Sequence, residues 1–374
     1  MKKICFIATV PSALNSFMSG HISGAAKQWS VKLISNSAGS EILNHLDAEF
    51  IPCSMRRNPS MWSDLIVLFQ LIFLFKRQGF DLIHSITPKA GLLSMLAGWI
   101  VNIPNRIHTF TGQVWMNKTG LNRYLLKQFD RLIVLFATHI FIDSPSQRDF
   151  LISEGVLPKD KGVVIGSGSV CGVDSARFYP NAAIRHSVRN ELKIQADAVV
   201  VIFIGRMNFD KGVLDLIAAF NKIFAIRSNV FLLLVGPEDN LTYDQLKDAC
   251  SNRSQLRIVN FTSNPERFLA ASDIFCLPSY REGFGQVVIE AAATELPTVA
   301  SRIYGITDAV DDGKTGILFT PKNIEQLSDA LVSLIDDRDV SKKLGKTGRK
   351  RVIKFFSNQK ITDQLMAFYA KILV

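Results

Sequence analysis

The chain has 374 residues, 48% of them hydrophobic and 20% charged, with a mean hydropathy of +0.18. At roughly 100–200 residues per domain this predicts about two domains, each able to bury a core, and it excludes disorder, a collagen-like chain and a disulfide scaffold. Lys and Arg total 43 against 33 Asp and Glu, a net charge of +10 that points to an anionic partner: nucleic acid, a membrane surface or a phosphorylated substrate.

Met1-Lys2-Lys3 precedes an apolar run over 4–10 that is at the lower limit for a signal peptide, with no small-residue cleavage site close behind. A first buried strand is the expected reading. Strands are predicted over 3–9, 31–35, 50–53, 81–85, 106–110, 139–143 and 162–165, with helices over 61–77, 89–101, 121–137 and 146–153. Such alternation argues for parallel βαβ units. The Gly- and Ser-containing stretch 166–179 reads as a linker. A second alternation follows, with strands over 199–204, 231–236, 256–260, 273–277 and 298–301 and helices over 324–336, 340–354 and 359–373. Two doubly wound domains with a hinge near residue 170 result, and such sheets bind ligands at the carboxyl ends of their strands. The longest apolar runs, 65–75 and 132–142, fall short of the roughly 20 residues a spanning helix needs. Cys5, Cys53, Cys171, Cys250 and Cys276 are odd in number and form no CxxC pair, as expected of reduced cysteines in a cytosolic protein.

Two segments stand where a ligand is expected. Gly205-Arg206-Met207-Asn208-Phe209-Asp210-Lys211-Gly212 follows directly on the strand over 199–204. A guanidinium fork and an ammonium leaving one strand end suit a diphosphate. The segment is not a Walker A loop, and alone it leaves ordinary solvated loop charges as an equal reading. Pro278-Ser279-Tyr280-Arg281-Glu282-Gly283-Phe284-Gly285-Gln286 follows the strand over 273–277 and opens a helix over 286–294. Gly283 and Gly285 permit close backbone approach, and the free N–H groups of the helix start suit an anion. Glu282 and Glu290 are eight residues apart, about 12 Å along a helix, so they would contact different parts of one elongated ligand. Glu290 stands among Val287, Val288, Ile289 and Ala291, where a carboxylate needs a partner such as a sugar hydroxyl.

In combination, Gly205-Arg206 with Lys211-Gly212, Asp273-Ile274 through Pro278, Glu282-Gly283-Phe284-Gly285 and Glu290-Ala291 resemble the donor-site signature of the family-4 retaining glycosyltransferases. Gly305, Val310 and Asp312-Gly313-Lys314-Thr315-Gly316 match the pattern that follows it in that family. The resemblance covers most of the chain and is tightest over about 200–320. It implies an α/β chain of GT-B fold, two Rossmann-like domains facing each other across a cleft. The expected parts are an acceptor-binding domain over 1–170, a nucleotide-sugar-binding domain over 171–355, and a last helix over 356–374 packing back on the first domain.

The resemblance also implies roles. Arg206 and Lys211 would neutralise the diphosphate of a nucleotide sugar as it leaves. Glu282 would contact the donor sugar, with the amides of Gly283, Phe284 and Gly285 near sugar or phosphate, and Glu290 would hold the ribose hydroxyls. Glu282, His108, Arg206 and Lys211 are then the expected catalytic residues. Arg206, Lys211, Gly283, Phe284, Gly285 and Glu290 are the expected donor-binding ones. No metal and no cofactor is implied beyond a UDP-sugar as donor substrate, and Asp311-Asp312 read as solvated turn residues. Retention by front-face attack, with the leaving phosphate assisting deprotonation of the acceptor, needs no glycosidase-style nucleophile pair.

The N-terminal half departs from the family after the first strand. Many members carry a Gly-Gly loop there, whereas this chain has Pro11-Ser12-Ala13-Leu14-Asn15-Ser16-Phe17, with glycine only at Gly20 and Gly24. His84 and His108 are expected at strand ends, and His108 resembles the family's N-domain active-site histidine. Lys89 is a candidate phosphate contact, since a cation at a helix start is unfavourable without an anion nearby. Residues 51–131 hold ten basic and three acidic side chains, interleaved with Met61, Trp62, Phe69, Phe73, Phe75, Trp99, Trp115, Tyr124 and Phe129. Arg123, Lys127 and Arg131, at i, i+4 and i+8, share one helix face. They are expected to meet an anionic bilayer, the alternative being a solvated face over an apolar core.

Taken with the resemblance, these features predict a peripheral enzyme at the cytoplasmic face of the plasma membrane. It would transfer a hexose or N-acetylhexosamine from a UDP-sugar to a polyprenyl-diphosphate-linked saccharide in surface-polysaccharide assembly. The segment 109–118 and the closing basic helix resemble those of O-antigen and capsule enzymes. A soluble acceptor is the alternative that keeps the same donor site. Nucleic acid is not an expected partner, because no RNA- or DNA-binding module is present and the basic residues alternate with buried runs.

Overall fold

The structure, a computed structural model, describes residues 1–374 except Arg57 and Pro59. The chain divides into two compact units, Met1–Gly172 with Asn358–Val374, and Val173–Ser357. In the first unit, seven strands form one sheet: β1 (Lys3–Ile7), β2 (Ser30–Ser35), β3 (Glu49–Pro52), β4 (Leu82–Ser85), β5 (Asn105–Phe110), β6 (His139–Ile142) and β7 (Val163–Val164). Their order is β3-β2-β1-β4-β5-β6-β7, all pairs parallel, with Phe6 of β1 between Leu33 and His84. Successive strand side chains point to opposite faces. Cys5, Ile7 and Ile83 therefore pack beneath the helices Met61–Gln78, Pro88–Ile100 and Gly120–Phe136. Ile4, Phe6 and Leu82 pack beneath Pro11–Ala26 and the C-terminal helix Asn358–Ile372.

No helix is predicted over 11–26, yet one follows β1 at once. Pro11 occupies the first turn, where its missing N–H costs nothing. Leu14, Met18, Ile22 and Ala25 then bury one stripe. Gly20 and Gly24 are the contact with the C-terminal helix: a Cβ at Gly24 would lie 2.9 Å from Thr362 Cγ2. His21 fastens the same contact. Its Nε2 lies 2.6 Å from Val170 O and its Nδ1 3.0 Å from Thr362 Oγ1, and burial lowers it to about 4, so the ring is neutral.

The second unit has β8 (Val199–Ile204), β9 (Val230–Val235), β10 (Leu256–Val259), β11 (Ile274–Leu277), β12 (Thr298–Ser301) and β13 (Gly316–Phe319). The order is β10-β9-β8-β11-β12-β13, again all parallel. Strand order reverses at β8, so the switch point lies between the carboxyl ends of β8 and β11, where an open α/β sheet binds ligands. Asp273 is at the other end. It accepts from Arg185 Nη2, Arg189 Nη2 and Val200 N, each at 2.7 Å, and so ties the helix Ala182–Glu191 to the sheet. A cavity of about 400 Å³ also lies at that amino end, lined by Val199, Asp273, Ile274, Pro297, Arg338 and Lys342. It is remote from the predicted donor-site residues.

Candidate active site

Because β8 and β11 are neighbours, the two predicted segments leave the sheet side by side. After β8 the chain turns through Phe209–Lys211, and Asn208 Oδ1 accepts from the Lys211 amide at 3.0 Å. It passes through Gly212, at φ +66°, into the helix Val213–Phe224. A Cβ at Gly212 would lie 2.1 Å from the Pro278 carbonyl oxygen, so glycine alone lets the loops touch. Gly236, after β9, stands equally close to Gly205, where a Cβ would fall 2.0 Å from the carbonyl oxygen. Three strand-end loops are thus packed backbone to backbone, and Tyr280 N donates to Asp210 O at 2.8 Å across the seam.

This packing brings Lys211 and Glu282 together as an ion pair, and Ser279 Oγ donates to the same Glu282 oxygen at 2.8 Å. The side chains are 22% and 14% exposed, so water screens the pair only in part. Arg206 is more open. Its Nη1 lies 2.6 Å from Asp239 Oδ2, which also accepts from Asn208 Nδ2 at 3.1 Å. A diphosphate laid against Arg206 and Lys211 competes with Asp239 and Glu282 for the same N–H donors. Tyr280 closes one side: its hydroxyl donates to Asp215 Oδ2 at 2.6 Å, and Lys322 Nζ lies 5.1 Å from its ring centre. Burial and the Asp215 carboxylate push the phenol up, which keeps it protonated.

Gly283, Phe284 and Gly285 lead into the helix Gln286–Ala293, with Gly285 at φ +80° as its N-cap. Gly305, after β12, presses on this turn, a Cβ there falling 2.2 Å from the Gly283 carbonyl oxygen. The Phe284 ring is buried edge-on against Phe356 at 5.2 Å, leaving only its backbone to a ligand. Glu290 is half-buried in the second turn, with Gln286 Nε2 3.5 Å from its Oε1. Burial pushes its carboxyl up to about 7, against the opposing pull of Gln286 and Arg177. One long hydrogen bond leaves a carboxylate ample capacity to accept from ligand hydroxyls. Asp311 and Asp312 belong to the turn before β13: Asp312 pairs with Arg302 and accepts from Leu318 N at 2.8 Å.

The sequence reading missed Asp239 and Ser279. Each is a polar residue just past the carboxyl end of a parallel strand, β9 and β11, which is the signal that could have found them.

The first unit corrects several expectations. His108 is not at an open strand end: β5 runs on to Phe110, and His108 is 1% exposed beneath Pro88–Ile100. Its Nδ1 lies 2.8 Å from Ser85 Oγ, its ring meets Phe110 edge-on at 4.7 Å, and a Cβ at Gly91 would come within 2.5 Å of it. Burial lowers it to about 3, so it is a neutral core histidine rather than an accessible catalytic group. His84 is likewise enclosed, bonded through Nδ1 to the Tyr369 hydroxyl and through Nε2 to Thr109 Oγ1 at 2.7 Å. Lys89 has its anion in Asp64, at 2.7 Å, and also donates to Asn58 O.

The basic helix face is also engaged within the unit. Arg123 and Lys127 both bind Glu154 Oε2 at 2.8 Å and lie 5.0 and 5.7 Å from the buried Trp115 ring centre. Arg131 Nε donates to Gly155 O at 2.9 Å. Trp115 Nε1 donates to the buried Asp130 at 2.7 Å.

Comparison with known proteins agrees with this geometry. Residues 185–351 match the family described as glycosyl transferases group 1, and residues 23–168 match a glycosyl transferase 4-like domain. The chain is 30% identical to the capsular polysaccharide biosynthesis glycosyltransferase CapM of Staphylococcus aureus, across 98% of this chain and 97% of that one. It is 26% identical to the UDP-Gal:alpha-D-GlcNAc-diphosphoundecaprenol alpha-1,3-galactosyltransferase of Escherichia coli, across 93% and 90%. Its fold is similar to that of sucrose-phosphate synthase from Thermosynechococcus elongatus, with a TM-score of 0.83 and 23% identity over 100% and 99% of the two chains.

Proposed function

The chain belongs to the family-4 glycosyltransferases of GT-B fold, and from that premise we propose that it transfers a hexose or N-acetylhexosamine from a UDP-sugar to a polyprenyl-diphosphate-linked saccharide in surface-polysaccharide assembly. The observation that carries the donor half is the sheltered Lys211–Glu282 pair beside Arg206 at the switch point of the second sheet. As the anomeric C–O bond breaks, its electron pair leaves with the nucleoside diphosphate. Arg206 and Lys211 take up that developing charge, in a site whose donors are already held in place by the glycine seams. The proposal gives this work to the two cations and to no metal ion or cofactor.

Glu282, oriented by Ser279, turns to a sugar hydroxyl, and Glu290 accepts from the ribose. The acceptor hydroxyl attacks from the face the diphosphate leaves and passes its proton to a leaving phosphate oxygen. Configuration is retained and no side-chain base is required, in keeping with a buried His108. The lipid-linked acceptor is supported by the Escherichia coli relative, named for a diphosphoundecaprenol substrate, and by the capsule enzyme. Such an acceptor places the reaction at the cytoplasmic face of the plasma membrane; no described helix is long and apolar enough to cross it.

A thermal-unfolding panel of nucleotide sugars tests the donor assignment. A ligand at a hundred times its Kd adds about 2.7 kcal/mol of stability. Uridine donors should raise Tm and guanosine and adenosine donors should not; a panel in which no uridine donor raises Tm contradicts the reading.

A further inference from the structure

The helix Met61–Gln78 is apolar on both sides. Val67, Leu71 and Phe75 face the core, while Met61, Trp62, Leu65, Ile66, Phe69 and Phe73 are exposed, Trp62 by 75% and Phe73 by 70%. Trp62, Ile66, Phe69 and Phe73 are spaced i, i+4, i+7 and i+11, which is one continuous stripe. A helix that is hydrophobic all round belongs inside a protein or a membrane, and soluble monomers rarely leave a large contiguous apolar patch bare. The helix Gly120–Phe136 repeats the pattern. It buries Asp130, Ile133 and Val134 and exposes Leu121, Tyr124, Leu125, Leu132 and Leu135. Both helices pack against Pro88–Ile100, so the two stripes belong to one helical layer of the first unit.

The exposed charges on and flanking these two helices are of one sign, while Glu154 is paired with Arg123 and Lys127. Neither helix has an exposed acidic residue: Asp64 is turned to Lys89, and Asp130 to Trp115. Lys76 and Arg77 are exposed at the end of the first helix, and Lys118 just before the second. An apolar surface whose exposed flanking charges are cations complements an interface whose interior is hydrocarbon and whose surface is phosphate.

We propose that this layer seats in the interface of an anionic bilayer, with the Trp62–Phe73 stripe inserted at the acyl boundary and Lys76, Arg77 and Lys118 at headgroup level. The inference rests on the lipid-linked-acceptor reading but moves the contact from Arg123, Lys127 and Arg131, which are engaged within the unit, to the apolar stripes. Attachment by burial of apolar surface withstands salt, whereas attachment by the basic face alone does not.

The test is flotation of the full-length protein with phosphatidylcholine vesicles, with and without phosphatidylglycerol, at low salt and at ~1 M salt, where the screening length falls to about 3 Å. The protein should float with phosphatidylglycerol vesicles under both conditions. The variant Trp62→Gln/Phe69→Gln/Phe73→Gln should lose about a hundredfold or more in partitioning. A second variant on the other helix, Leu121→Gln/Leu125→Gln/Leu135→Gln, should weaken it too, and both should keep the wild-type Tm and the Tm increase given by a UDP-sugar.

Undiminished flotation of both folded variants overturns the proposal, as does release of the wild type by salt. So does a wild-type dimer in light scattering that the variants dissociate, since the stripes would then be covered by a second copy. Flotation by a wild type that no nucleotide sugar stabilises would overturn the donor reading and leave the membrane face standing.

Discussion

Replacing Lys211 by methionine keeps most of the side chain's apolar stem, one atom shorter, and removes its charge, leaving Glu282 with the Ser279 hydroxyl at 2.8 Å and its cation gone. Removing one partner of a fully buried ion pair costs about 3–5 kcal/mol. With 22% and 14% exposure the two groups here keep some solvent, so a loss of about 2 kcal/mol is expected at neutral pH. Activity falls by a separate route, since deleting one group that stabilises developing charge costs about a hundred- to a thousandfold in turnover. The double variant Lys211→Met/Glu282→Gln separates the two effects. It leaves no uncompensated charge, so stability should return to within about 0.5 kcal/mol of wild type, a coupling of the size expected for groups in contact. Transfer should stay as low as in the single variant. Urea unfolding measures the first quantity, and initial UDP release at saturating donor and acceptor the second. A Lys211→Met protein as stable and active as wild type would refute the reasoning, and so would a double variant that regains transfer.

Gly212→Ala tests the glycine seam. At φ +66° the new Cβ falls 2.1 Å from the Pro278 carbonyl oxygen, so left-handed strain of about 1–2 kcal/mol adds to a backbone overlap. Stability should fall by more than about 2 kcal/mol in urea unfolding and donor binding by tenfold or more in calorimetry; a variant that binds normally would show that the seam does not position the site. Glu290 predicts two opposite pH dependences. Its carboxyl stands at about 7 in the folded chain against an ordinary 4.5, so folding takes up a proton between those values and stability falls as pH rises across them. Nucleotide affinity runs the other way, rising through about pH 7 as the carboxylate becomes a full acceptor for the ribose, and Glu290→Gln should flatten both profiles.

Much of the second unit was legible in the sequence because its strands are short apolar runs with charged or glycine-rich loops at one end. Lys211 and Glu282 meet because β8 and β11 are neighbours at the point where strand order reverses, an adjacency that the order of apolar runs along the chain does not specify. Asp239 escaped notice because its role depends on which strand lies beside β8, and that is a property of the sheet. The first unit was read less well, for the same kind of reason. Gly20 and Gly24 serve a helix contact more than 330 residues away in sequence, and His21, His84 and His108 are paired by burial with Thr362, Tyr369 and Ser85. A histidine near a strand end looks the same in sequence whether it opens to solvent or is roofed by a helix, as Gly91 roofs His108. The i, i+4, i+8 spacing of Arg123, Lys127 and Arg131 was likewise correct as a helix face. It could not show that Glu154 was waiting opposite two of the three.

The central claim is transfer of a sugar from a UDP-sugar to a lipid-linked saccharide with retention. The most direct measurement incubates the purified protein with the tritium-labelled UDP-sugar that gives the largest Tm increase and a polyprenyl-diphosphate-linked N-acetylglucosamine, extracts the lipid phase, and reads the new linkage by NMR. The account predicts label in the lipid phase, in the anomeric configuration of the donor, and none with Lys211→Met. Label that remains in water as a soluble glycoside, or a linkage of inverted configuration, would contradict it.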